Sequence, residues 1–111
     1  MTMRHYEFLL PYWHNDPHQT SYSEGRSSWW EIALDIAGGV TSLPGVDGSW
    51  RDPAVNGRTY NETMAPYRVL CSSEQKDYLV AEALRLFSDQ ISIFVADLGS
   101  AEIIYRKETK E

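Results

Sequence analysis

The sequence predicts a single α+β domain in which two helices cover one face of an antiparallel sheet, and three observations carry that prediction. Hydrophobic periodicity runs strand, helix, strand, strand, helix, strand along the chain. Glycines and a serine mark where the helical stretches stop and start. The last strand is apolar on both sides. Given right-handed crossovers, this order is the split β-α-β arrangement, βαββαβ, of the ferredoxin-like fold, with four strands expected. A chain of 111 residues, 42% of them hydrophobic, has enough apolar side chain for one core. The expected layout is one domain over 1–111, with an arm projecting at about 45–65 and a flexible C-terminal tail at about 107–111.

Each element follows from local chemistry. From His5 to Pro11, Tyr6, Phe8 and Leu10 alternate with Glu7 and Leu9, which fits a first strand. A polar loop follows from Tyr12 to Glu24. A helix then starts at Ser23 or Glu24, carries Trp29, Trp30, Ile32, Ala33, Leu34, Ile36 and Ala37, and stops at Gly38-Gly39, where glycine takes the left-handed conformation of a helix end. Ser72-Ser73-Glu74-Gln75 offers a capping box, so the second helix runs from about Ser73 to Phe87 with Leu79, Val80, Ala83, Leu84 and Phe87 on its buried face. Ile91 to Leu98 reads as the last main strand and Ala101 to Arg106 as a short additional one.

Between the helices lies the most informative stretch. Two strands surround a turn at Asn56-Gly57, and counting back from it sets Pro44 opposite Pro66. Proline cannot donate to a sheet ladder, so the pair marks where a hairpin leaves the main sheet as an arm. In that register Gly48 faces Glu62 and Trp50 faces Tyr60. Val46, Gly48, Trp50, Tyr60, Glu62 and Met64 then share one side, and Asp47, Ser49, Arg51, Thr59, Asn61 and Thr63 the other. A two-stranded ribbon is barely stable alone, so its aromatic side needs its own domain, a second subunit or a ligand to lie against.

Charge and cysteine content exclude some functions. The net charge of -6, with basic residues scattered, gives no basic stripe to replace the counterions of a phosphate backbone, so no nucleic-acid partner is expected. No run approaches the ~20 apolar residues of a membrane span, so no membrane association is expected. The lone Cys71 cannot form an intrachain disulfide and no signal-like segment appears, which points to a reducing, cytoplasmic setting. In the last strand Ile91, Ile93 and Val95 point one way while Phe94, Ala96 and Leu98 point the other. The helices cover one face only, so a second copy is expected on the other, as homodimer or higher oligomer. Adjacent Trp29 and Trp30 project about 100° apart, so either one meets a partner or both flank a wide core stripe.

The candidate ligand-binding residues are Tyr12, Trp13, His14, Arg26, Trp50, Arg51, Tyr60 and Glu62: aromatic planes, two cations for negative charge, and a carboxylate beside a glycine. Glu62 either meets a ligand or pairs with Arg26, Arg51 or Arg68. His14, Asp16 and His18 alternate as metal ligands do, but Asn-Asp-Pro is ordinary turn chemistry, and no metal or cofactor is expected. Cys71 sits in an apolar run and reads as an inert core thiol. No catalytic residue is assigned.

The pattern of Gly38-Gly39, Thr41, Val46-x-Gly48-x-Trp50, Gly57, Tyr60 and Glu62 resembles that of small uncharacterised bacterial and phage proteins with a ferredoxin-like fold. It is similar, more distantly, to the dimeric α+β barrel enzymes. The resemblance covers the chain in outline and about a quarter of its residues, and implies architecture and oligomerisation more than chemistry. For a phage protein it implies sequestration of a host signalling nucleotide. The function expected from sequence is therefore a non-enzymatic homo-oligomer binding a small anionic or nucleotide-like ligand. The alternatives are a cofactor-free barrel-type enzyme pairing His14 or His18 with Glu62, and a protein-binding adaptor or inhibitor.

Overall fold

Prolines, which lack an N–H, set the limits of several strand pairings in this chain. The structure is a computed structural model and describes residues 2–52, 57–90, 92–102, 104 and 106. Its elements are β1 (Arg4–Pro11), α1 (Ser23–Ala37), β2 (Thr41–Ser42), β3 (Val46–Asp52), β4 (Arg58–Cys71), α2 (Ser73–Leu86) and β5 (Phe94–Ser100). All strand pairs are antiparallel, in the order β2-β4-β1-β5 with β3 also on β4. This is the expected ferredoxin-like α+β fold, with five strands in place of four.

The extra strand arises because the expected second strand is cut in two. Ser42 pairs with Tyr67 and Val46 with Met64, so four steps along one strand answer three along the other. The ladder breaks at Leu43–Gly45, opposite Pro66. The carbonyl of Pro66 accepts from the Leu43 N–H at 3.0 Å, but its nitrogen has nothing to donate. Pro44 lies within this break, outside the ladder, and not in a strand pair with Pro66 as expected. Beyond it the arm has the expected register, Gly48 opposite Glu62 and Trp50 opposite Tyr60.

Pro11 ends a second pairing. The Tyr12 N–H points to Thr63 of β4, so by alternation position 11 directs its backbone toward β5. Having no N–H, Pro11 cannot extend that ladder, and β1–β5 pairing stops at Leu9 opposite Phe94. The last strand therefore begins at Phe94, later than expected, and continues to Ser100; Ile91 lies outside the described residues. The described residues among 101–106 carry no strand, contrary to the short one expected there. The tail expected at 107–111 also lies outside the described residues.

Both helices end as their sequences specify. Gly38 takes φ +81° and its N–H caps Leu34 O at 2.9 Å. Ser72 and Gln75 form the capping box, and Gln75 Nε2 also reaches Ile36 O at 3.0 Å, tying the two helices together. Tyr6, Phe8 and Leu10 of β1 meet Val69 and Cys71 of β4 under Trp29, Ala33, Leu79, Ala83 and Phe87. Trp29 is wholly buried, with its Nε1 donating to Leu79 O at 3.0 Å, whereas Trp30 is half-buried and edge-on to Tyr67. Burial pushes the Cys71 thiol up to about 11.

The opposite sheet face carries no helix. There Phe94 is 58% exposed, Leu98 47% and Val46 43%. The molecule measures 66 × 28 × 23 Å, with a radius of gyration of 16.4 Å against about 13 Å for a compact chain of this length. Among the described residues no helix is long and apolar enough to cross a membrane.

Candidate functional site

Two adjoining clefts lie at the root of the arm and share Pro11, Gly48, Ser49, Glu62 and Gln90. The first, a cavity of about 440 Å³, opens on the helix-free face. Leu9 and Pro11 of β1, Phe94 of β5, and Gly48, Trp50, Glu62 and Met64 of the arm line it. Strand alternation explains the gathering, since Leu9 lies opposite both Pro66 and Phe94 and the even-numbered arm residues continue the same face. Trp50 and Tyr60 stack across the arm with centroids 4.7 Å apart and planes 16° apart, and the Arg58 guanidinium lies 5.2 Å over Tyr60. Gly48 opens the wall: a Cβ there would lie 2.6 Å from the Met64 methyl.

Among the described residues that line it, Glu62 is the only ionisable side chain, in a mostly apolar wall to which Ser49, Gln90 and Ser92 add polar atoms. The arginines weighed as its partners are engaged elsewhere. Arg26 Nη1 donates to Pro11 O and Tyr12 O at 2.9 and 3.0 Å, Arg51 Nε to Thr59 Oγ1 at 3.3 Å, and Arg68 Nε to Glu7 at 3.0 Å. Among the described residues Glu62 makes no ion pair.

The second cleft, about 650 Å³, lies between the arm and the loop that follows β1. Trp13, His14, Asn15 and Asp16 form one wall, and Asp47, Arg58 and Tyr60–Thr63 the other. The loop is fastened by Asp89, in the turn after α2. Its carboxylate accepts from the Asn15 N–H at 2.9 Å and from the Tyr22 hydroxyl, and lies 3.1 Å from His14 Nδ1. Asn15 Nδ2 donates to Asp89 O at 2.9 Å, and the His14 ring stacks on Tyr22 at 3.5 Å. Burial pushes the Asp89 carboxyl upward, but the bonds from Tyr22, Asn15 and Gln90 and the charge of His14 prevail, so its pKa falls below 3.8. Burial and the bond to Asp89 raise Tyr22 to about 12.

Of the eight sequence-predicted residues, Trp50 and Glu62 meet at the first cleft, and Trp13, His14, Tyr60 and again Glu62 at the second. Tyr12, Arg26 and Arg51 line neither. Arg26 sits 4.4 Å over the Tyr12 ring and binds the end of β1 to α1, which is a packing role. His14, Asp16 and His18 do not converge: Asp16 accepts from the Thr20 N–H and hydroxyl at 2.9 and 2.6 Å, which lowers its pKa, while His14 turns to Asp89. No group of three potential metal ligands gathers among the described residues. Sequence reasoning missed Asp89, because its partners lie 67–75 residues away. It also missed Arg58 as a wall residue, whereas Met64 lies on the arm face expected for it.

In fold, the chain is similar to the solved structure of the periplasmic divalent cation tolerance protein CutA from Archaeoglobus fulgidus, with a TM-score of 0.56 over 97% of this chain and 88% of that one, at 14% sequence identity. No family model matches the sequence, and no curated protein sequence matches it. At this identity the likeness shows the ferredoxin-like α+β architecture alone.

Proposed function

We propose that the protein is a non-enzymatic homo-oligomer that binds a small ring-bearing ligand in the apolar cleft beside Trp50. The observation that carries this reading is the lone carboxylate of Glu62 in an apolar wall, with no ion-pair partner among the described residues. A carboxylate there selects a cationic group, and the apolar wall selects a ring or alkyl body. The anionic, nucleotide-like ligand expected from sequence depended on Arg26 and Arg51, and neither faces the cleft. A protonated aromatic amine fits better.

Self-association is supported by the exposed Phe94, Leu98 and Val46 on the same face. A second copy placed there would bury these side chains, and Phe94 also lines the cleft, so the partner would form part of its rim. The buried lone Cys71 suits a reducing, cytoplasmic setting. The test is a thermal-shift and tryptophan-fluorescence screen of aromatic amines against matched carboxylates and nucleotides. Binding of amines that Glu62→Gln removes supports the reading, and preference for anions overturns it. Sedimentation that finds only monomer at high concentration overturns the oligomer.

A second reading is favoured by the pairing of His14 with Asp89. A carboxylate on Nδ1 fixes the imidazole and leaves Nε2 as the acid–base atom, as a cofactor-free enzyme requires. Turnover that disappears in both His14→Ala and Glu62→Gln, with folding intact, would select it.

A further inference from the structure

We infer that the second cleft is a docking slot for an extended, basic segment of another protein, which adds as a strand to the free edge of β4. The argument begins with backbone direction. Thr63 O accepts from the Tyr12 N–H on the β1 side of β4, and Pro66 O accepts from the Leu43 N–H on the opposite side. In an extended strand these directions alternate, so Thr59 and Asn61 present both N–H and C=O on the β1 side. β1 pairs no further than Pro11 opposite Met64, and among the described residues no strand takes its place. Among the described residues, β4 is thus paired on one side only from Arg58 to Glu62, with β3.

The cleft runs along this edge. Arg58 and Tyr60–Thr63 form one wall, and the loop from Trp13 to Asp16 stands opposite, held by Asp89 through Asn15 and His14. A wall fixed by a turn after α2 makes the slot preformed, which lowers the entropic cost of binding. An unpaired strand edge attracts extended chains by main-chain hydrogen bonding.

Charge selects the occupant. Asp16 and Asp47 border the slot, Asp16 accepting from Thr20 and Asp47 from Thr63, and the chain as a whole carries -6. Arg58, whose guanidinium lies over the Tyr60 ring, is the one arginine among the described lining residues, and Glu62 adds a third carboxylate, so the slot carries a net negative charge. Lysine or arginine side chains, spaced at every second residue, would then meet Asp16 and Asp47 while the backbone pairs with Thr59 and Asn61. Trp13, 38% exposed, and Tyr60 give apolar contact at the rim.

The probe is the blocked peptide acetyl-Lys-Val-Lys-Val-Lys-amide, with its Glu-Val counterpart and a copy N-methylated at alternate residues as controls. Binding is followed by titration of amide NMR signals, with hydrogen exchange at Thr59 and Asn61. The lysine peptide is expected to shift and protect those two amides, and to bind less tightly at high salt. The N-methylated copy is expected not to bind. Asn61→Pro removes an outward donor and leaves the β3 ladder whole, so it should weaken binding about tenfold with the fold retained, whereas Asn61→Ala should change it little. Equal losses in the two variants, binding of the glutamate peptide in preference, or no binding at all would overturn the inference. So would protection of Thr59 and Asn61 that rises with protein concentration alone, which would assign the edge to a second copy of the chain.

Discussion

His14 Nδ1 lies 3.1 Å from the carboxylate of Asp89, which fastens the loop after β1 to the turn after α2. The same carboxylate takes the Tyr22 hydroxyl and the Asn15 N–H, so a single side chain holds one wall of the second cleft.

Removing that carboxylate should loosen the wall in a pH-dependent way. Because Asp89 has its folded pKa below the ordinary 3.8, it adds stability that is present above that value and is lost as pH falls through the lowered one. Asp89→Asn should cost about 1–3 kcal/mol near neutral pH. Urea unfolding of both proteins over an acid series should show the difference shrinking as pH drops below the ordinary carboxylate value.

Two glycines should respond differently to alanine. A Cβ on Gly45 would come within 2.9 Å of the Tyr12 ring, which Arg26 holds from above, so Gly45→Ala should cost about 1–3 kcal/mol. A Cβ on Gly48 would meet only the Met64 methyl, the free end of a flexible side chain. Gly48→Ala should therefore leave the melting temperature nearly unchanged while narrowing the apolar cleft and weakening amine binding.

The aromatic pair of the arm is open to a double-mutant cycle. Trp50→Ala and Tyr60→Ala should show a coupling of about 0.5–1.5 kcal/mol, as stacked rings do. Sedimentation and ligand titration of Trp50→Ala distinguish its roles. Loss of assembly marks an interface, and loss of ligand with assembly kept marks a pocket.

Cys71 should be inert in the folded protein. It is fully buried and its thiol is pushed up to about 11, so Ellman's reagent should react only at the rate of unfolding. Fast labelling in buffer would contradict the packing of β4 under the helices.

Local signals in the sequence were enough for both helices, the first strand and the register of the arm, but not for the split of the second strand or the bounds of the last. The capping box at Ser72, the stop at Gly38 and the pairing of Trp50 with Tyr60 each rest on short-range chemistry. The proline argument was right in kind and wrong in one detail. Pro66 interrupts the ladder, but the break absorbs an extra residue and Pro44 leaves the ladder altogether. The sites were less legible, because arginine partners are set by the fold and not by spacing. Arg26 reads in sequence as a free cation beside aromatic residues, and in three dimensions it closes the end of β1. Asp89 carries no local sign of its role, since its partners come from the other end of the chain.

The position of β1 has a consequence for how the molecule is made. This first strand lies between β4 and β5, and its Arg4 bonds Asp97, 93 residues later. Contacts of that span close slowly, and on the ribosome β1 must wait, unpaired on one side, until nearly the whole domain has been synthesised. Its apolar residues are exposed for that interval, so a nascent chain stalled before β5 is the form in which chaperone dependence and aggregation should be greatest.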